Sequence, residues 1–235
     1  MNNSLLRVEK IVPGLRTEGL LPIEDILSRK LMVLNGEDPK DPDLMEMAKS
    51  RFQYSLPFGK PNNCCYAYFP LVDGVDSDII RLFSDQVVVD LGAGEFPHAY
   101  QIIKICGARA YIGVEPYYAD RLAARLEEDW LKTGLEQELE WMNTRSEYRG
   151  VNPEIARSVV CDDMLTFLRR LPSSSVSVFT NAIDEFIIDE DYAGLVDEEI
   201  LRVLHPCGGL FCGSPRFRFY QRDGKNIYQT SSLKR

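Results

Sequence analysis

Histidine is nearly missing from this chain, with two in 235 residues, His98 and His205. Six cysteines occur, at positions 64, 65, 106, 161, 207 and 212, but no CxxC spacing. The nearest grouping with ligand potential is His205, Cys207 and Cys212. Cys212 falls in an apolar strand pattern, so no metal is expected. Adjacent Cys64 and Cys65 make a poor framework for disulfides, and free thiols in a reducing compartment are expected. No run approaches 18 apolar residues, which excludes a membrane-spanning helix. The start, Met1-Asn2-Asn3-Ser4, lacks the basic and apolar stretches of a signal peptide, so the expected location is cytoplasmic.

A basic excess is also missing. Lysine and arginine total 27 against 36 acidic residues, a net charge of −9. Such a chain as a whole repels phosphate, which makes nucleic acid an unlikely partner. The exception is residues 216–235. There six basic side chains face Asp223 alone, a balance of +5 that leaves −14 on the first 215 residues. An edge hairpin protected by charge accounts for this, and so does a small basic surface for an acidic substrate. Apolar residues at 45% and charged residues at 27% are ordinary globular values and exclude disorder, collagen and coiled coil. At about 150 residues per domain the length fits one domain with additions.

Two kinds of sequence are present. Residues 1–74 are irregular and rich in Pro, Asn, Asp and Gly. Helical spacing shows at Ile23, Ile26, Leu27, Leu31 and Leu34, and again after Asp41-Pro42. A loop at 56–63 then runs into Tyr66, Tyr68 and Phe69, an aromatic cluster that reads either as core or as a substrate lid. From residue 75 short apolar runs alternate with amphipathic segments, the pattern of β-α-β units and a parallel sheet. Strands are expected at 87–91, 110–114, 158–161, 176–180 and 210–213. Helices between them are marked by Ala99/Ile102/Ile103/Cys106, Tyr118/Leu122/Leu126/Trp130, Leu165/Leu168/Leu171 and Tyr192/Val196/Ile200/Val203, with an extra helix near 135–147. Asp223-Gly224 between residues 216–220 and 226–230 signals an antiparallel hairpin. Parallel sheets bind ligands at the carboxyl ends of their strands, so the chemistry is expected after Leu91, Val114, Cys161 and Thr180.

The first of these ends reads Asp90-Leu91-Gly92-Ala93-Gly94-Glu95-Phe96-Pro97. Gly92 and Gly94 allow a ligand close to the backbone. A dinucleotide site needs a third glycine, and Pro97 stands in its place. Asp90 and Glu95 would repel a pyrophosphate and attract an ammonium, so the loop favours a ligand with a cationic end. The second strand ends in Glu115-Pro116, an acid about 21 positions after the loop, placed to accept from both ribose hydroxyls. The third ends in Asp162-Asp163-Met164. A carboxylate here can accept from an adenine amino group, with the next backbone amide donating to a ring nitrogen, or it can cap the following helix.

Together the segments 87–97, 111–116, 161–165, 178–186 and 201–214 resemble the class I, seven-stranded S-adenosylmethionine-dependent methyltransferases. The resemblance implies an α/β fold: a Rossmann-like, seven-stranded, mostly parallel sheet with helices on both faces and a C-terminal antiparallel hairpin. A cofactor-binding domain at 75–235 would follow an N-terminal helical and loop cap at 1–74. It implies S-adenosylmethionine as cofactor, S-adenosylhomocysteine as product, and cofactor contacts from Asp90, Gly92, Ala93, Gly94, Glu115, Pro116, Asp162, Asp163, Met164 and Asn181. The gap from Glu115 to Asp162 is longer than is usual for the family, and its helix after the fifth strand is lost or shortened here.

Methyl transfer from a sulfonium needs mainly a positioned nucleophile, and a base only if the acceptor arrives protonated. The fourth strand end, Thr180-Asn181-Ala182-Ile183-Asp184-Glu185-Phe186, lacks the Asn/Asp-Pro-Pro-aromatic sequence of amino-methylating nucleic-acid enzymes. A small-molecule or protein acceptor is therefore expected. Asp184 and Glu185 are the candidates to bind an amine or act as base, unless they simply continue the solvated acidic face at 189–191. Tyr54, Tyr66 and Tyr68, with Arg51 and Phe52, are candidates for the acceptor pocket. His98 is read as a surface histidine or a base near the cofactor, His205 as structural. Two other readings stay open: a cofactor-binding protein on this fold without turnover, and a nicotinamide oxidoreductase. The oligomeric state is open.

Overall fold

The protein is described by a computed structural model over residues 9–18, 20, 82–94, 98–116, 119–127, 155–181, 189–213, 218–223 and 226–230. Its centre is a parallel sheet of five strands: β1 (Val87–Leu91), β2 (Ala110–Val114), β3 (Ala156–Val160), β4 (Ser177–Asn181) and β5 (Gly209–Gly213). The strands lie in the order β3-β2-β1-β4-β5. The chain steps outward from β1 to β3, then returns to the other side of β1 for β4. That reversal opens a crevice at the carboxyl ends of β1 and β4, the switch point of a doubly wound sheet. Two further extended segments, β6 (Arg218–Asp223) and β7 (Asn226–Thr230), follow β5.

Among the described residues, four helices cover the sheet. α1 (His98–Ile105) and α2 (Ala119–Glu127) lie on one face, and α3 (Met164–Arg170) and α4 (Glu190–Val203) on the other. Strand alternation sorts the side chains between them. Val88, Tyr111, Val159 and Phe179 join Tyr100, Ile103 and Leu122 in the first core layer. Val87, Val89, Leu91, Ile112 and Val114 join Phe167, Leu168, Val196 and Val203 in the second. Because both faces are covered, β1 and β2 are buried along their whole length, which is why they read as unbroken apolar runs.

The β3 and β4 boundaries differ from expectation by one or two residues. β3 begins at Ala156, because Arg157 pairs in register with Tyr111 and lays its guanidinium over the Tyr100 ring, 5.8 Å from its centre. A charged residue in the pattern concealed that start. Val176 forms a bridge with Leu204 instead of joining β4.

Val12, Leu15 and Leu20, from the expected N-terminal cap, are buried in the second core layer. Arg16 and Arg170 fasten this segment, donating to the backbone carbonyls of Arg169 and Glu18 respectively. The rest of the cap, including the two expected helices and the candidates Tyr54, Tyr66 and Tyr68, lies outside the described residues. So does the extra helix expected near 135–147.

Candidate functional site

The loop after β1 is shaped by two left-handed glycines, Gly92 at φ 69° and Gly94 at φ 68°. A side chain is strained at such angles. Their turn carries the chain sideways over the end of β2, where the Gly92 and Ala93 N–H groups donate to the Val114 carbonyl at 3.0 and 3.2 Å. The next residue, Glu115, is 5% exposed, and its Oε2 accepts from the Gly94 N–H at 2.8 Å. The glycine loop and the acid at the end of β2 are therefore one unit, closed on each other at the switch point. The Glu115 N–H donates in turn to the Val160 carbonyl, tying this unit to the end of β3.

Asp90 lies one residue before this turn, 2% exposed, and accepts from the Tyr111 hydroxyl at 2.8 Å. Burial pushes its carboxyl up from 3.8 to about 7; the Tyr111 hydrogen bond opposes that and the charge of Glu115 adds to it. Burial thus works against the charged form of Asp90, and the Tyr111 hydroxyl works for it. Glu95 lies outside the described residues.

The two acids after β3 separate into different roles. Asp163 is the N-cap of α3. Its Oδ1 accepts from the Leu165 and Thr166 N–H groups, both at 3.1 Å, and its Oδ2 from the Tyr192 hydroxyl at 2.7 Å. Asp162 pairs with Arg170 at 3.1 Å and accepts from the Asp163 N–H at 2.9 Å. Burial raises its carboxyl above the ordinary range, against the pull of Arg170. The amide that follows Asp162 is thus engaged by the Asp162 carboxylate itself. Met164 is buried at the start of α3.

Pro116 follows Glu115 half-buried, and its carbonyl accepts from the Cys161 thiol at 3.6 Å. Asn181 ends β4, paired in register with Gly213. Asp90, the glycine loop, Glu115 and the ends of β3 and β4 thus share the carboxyl edge of the sheet. Asp184 and Glu185 lie outside the described residues, as does the side chain of His98. His205 has a turn role: its Nδ1 accepts from the Cys207 N–H at 3.2 Å. Asp189 caps α4 through the Tyr192 N–H at 3.0 Å, and Glu190 and Asp191 follow in the first turn, where acids suit the helix dipole.

Sequence reasoning missed Tyr111. An aromatic residue in an apolar run reads as core. The available signal was the glycine two positions later on the same face, Gly113, which leaves room for a long side chain to lie along the strand.

No family model matches the sequence, and no curated protein matches it. Solved structures do. YcgJ of Bacillus subtilis is 13% identical over 63% of this chain and 50% of its own, with a TM-score of 0.35. SMU.1697c of Streptococcus mutans, solved in complex with S-adenosylhomocysteine, is 14% identical over 56% of this chain and 64% of its own, at 0.32. Phosphoethanolamine N-methyltransferase 2 of Haemonchus contortus, in complex with S-adenosyl-L-methionine, is 22% identical over 55% of this chain and 24% of its own, at 0.31. The chain spans less than two thirds of the length of each.

Proposed function

We propose that this chain is a class I S-adenosylmethionine-dependent methyltransferase that moves a methyl group to a small-molecule or protein acceptor. One observation carries the reading. A buried carboxylate at the end of β2 is closed onto the left-handed glycine loop at the switch point of the sheet. This donor set fits an adenosine bearing a cationic tail. A carboxylate accepts up to about four hydrogen bonds, so Glu115 suits a ribose diol, and the glycine loop brings bare backbone to the ligand. A nicotinamide dinucleotide fits less well, because Pro97 stands where a dinucleotide site needs its third glycine.

When bound, S-adenosylmethionine supplies a methyl group on a sulfonium. Glu115 would hold the ribose hydroxyls, and Gly92, Ala93 and Gly94 would give the ligand bare backbone. Asp90 would attract the ammonium end. Asp162 or Asp163 would accept from the adenine amino group, with Pro116 and Met164 near the base. Asn181, at the end of β4, would serve the cofactor or the acceptor. Asp184 and Glu185 would bind an acceptor amine or take its proton, and Tyr54, Tyr66 and Tyr68 would bind the acceptor. The sheet is completed to seven strands by an antiparallel hairpin. Pairing of β6 with both β5 and β7 supports this, and so does the short link after β5, which leaves no length for a helical crossover.

The test is methyl transfer itself. Incubation with methyl-labelled S-adenosylmethionine and a panel of small amines, phenols, carboxylates and protein extracts should release S-adenosylhomocysteine with one acceptor class. Binding of the cofactor with no transfer to any acceptor, at any cofactor concentration, would make this chain a binding protein.

A further inference from the structure

Tyr111 is the second residue of β2, and its ring lies in the core layer beneath α1 and α2. In register it pairs with Val88, whereas Asp90 pairs with Gly113. Its hydroxyl therefore travels two residues along the sheet to reach Asp90 Oδ2. It does so across Gly113. A Cβ at that glycine would come within 2.9 Å of the Tyr111 hydroxyl and 3.2 Å of Cε1. Tyr100 holds the ring from the side, edge to face, with centres 5.4 Å apart. Phenylalanine would fill this core equally well. Tyrosine over a glycine brings one O–H to one buried carboxylate, and that carboxylate sits at the root of the glycine loop.

We propose that Tyr111 is the positioning residue of the cofactor site, orienting the Asp90 carboxylate and keeping it ionised for the cationic end of the ligand. This rests on the function proposed above. The surroundings of Asp90 make the hydroxyl decisive. Burial favours the neutral acid, and Glu115, from the end of the same strand, favours it further. Phe179 and Thr180 of β4 and Leu122 and Ala123 of α2 bring no charge to this layer. Lys104 of α1 and Arg157 of β3 lie over the ring of Tyr100, one residue removed. Glu95 and His98 are near in sequence, with side chains outside the described residues. Among the described residues, the Tyr111 hydroxyl favours the charged form of Asp90.

The experiment is calorimetric titration of S-adenosylmethionine from pH 5.5 to 9 on wild type, Tyr111→Phe and Gly113→Ala, with the Asp90 carboxyl carbon followed by NMR. Wild-type affinity should rise with pH and level off above about 7. Tyr111→Phe should move that break upward by about one to two pH units, the worth of a hydrogen bond to a charged group. Binding at pH 7 should then be about 5- to 50-fold weaker and recover most of its strength near pH 9. Gly113→Ala keeps the phenol but crowds it, along with Leu122 Cδ2, at 2.9 Å, and should shift the break in the same direction. An equal loss at every pH, or no loss, overturns the proposal. If wild type binds no S-adenosylmethionine, the ligand assignment fails. The NMR titration then decides by itself: a midpoint raised in Tyr111→Phe upholds the hold of Tyr111 on Asp90, and an unmoved one overturns it.

Discussion

The Glu115 Oε2 accepts from the Gly94 N–H at 2.8 Å, joining the end of β2 to the loop after β1 across 21 positions of sequence. Neither group could be buried alone at low cost, because an isolated carboxylate or amide forfeits its water. Each supplies what the other needs. The contact also fixes where a ligand meets the protein, since the loop that shapes the floor is held by the residue that would grip the sugar.

Glu115 is therefore expected to matter more for binding than for folding. Glu115→Ala should weaken S-adenosylmethionine by about 10- to 100-fold, the worth of hydrogen bonds to a charged group. Glu115→Gln keeps an acceptor for Gly94 and should lose less. Isothermal calorimetry on both variants, with circular dichroism to check the fold, reads this directly.

Asp90 should show the opposite balance. Its folded carboxyl titrates near 7 against 3.8, so the folded state holds its proton to higher pH than the unfolded chain does. Its contribution to stability is therefore greatest below about pH 4, declines as pH rises toward 7, and is flat above that. The whole loss is on the order of 4 kcal/mol. Asp90→Asn mimics the neutral acid and removes that dependence. It should melt several degrees higher than wild type at pH 8, match it near pH 4, and bind S-adenosylmethionine at least about tenfold more weakly. Thermal unfolding across this pH range is the check.

The fold around the candidate site was legible in the sequence where pattern and spacing coincide. Val87–Leu91 and Ala110–Val114 announced themselves as buried strands, and Gly92, Gly94 and Glu115 fell at the carboxyl ends where the fold needs them. What was not legible depends on neighbours distant in sequence. The charge on Asp90 is set by burial, which no local pattern reports. Asp162 and Asp163 look alike until the Tyr192 hydroxyl reaches one and Arg170 the other. Arg16 and Arg170 look like surface charge, yet each also reaches a main-chain carbonyl about 150 positions away.

The division between Asp162 and Asp163 can be separated by mutation. Asp163→Ala removes the N-cap of α3 and the acceptor for Tyr192, and should cost about 1–2 kcal/mol of stability. Asp162→Ala should weaken ligand binding more than it lowers the melting temperature. Urea unfolding and calorimetry on the two variants give the comparison.

Gly208 should tolerate no side chain. A Cβ there would lie 2.3 Å from the Ser177 Oγ, which accepts from the Gly209 N–H at 3.2 Å and donates to the Leu82 carbonyl at 2.8 Å. Gly208→Ala must break that bridge or move β5, and should destabilise by roughly 1–3 kcal/mol. Ser177→Ala in the same background should recover part of the loss, as measured by chemical unfolding.

The crevice formed by the glycine loop and Glu115 is expected to bind S-adenosylmethionine. Calorimetric titration of S-adenosylmethionine, S-adenosylhomocysteine and NADH into wild type, Asp90→Ala and Glu115→Ala reads this binding. Binding of the first two ligands, weakened in both variants, with none of NADH, is the expected result. Tight binding of NADH with no response to S-adenosylmethionine would make this a dinucleotide site instead.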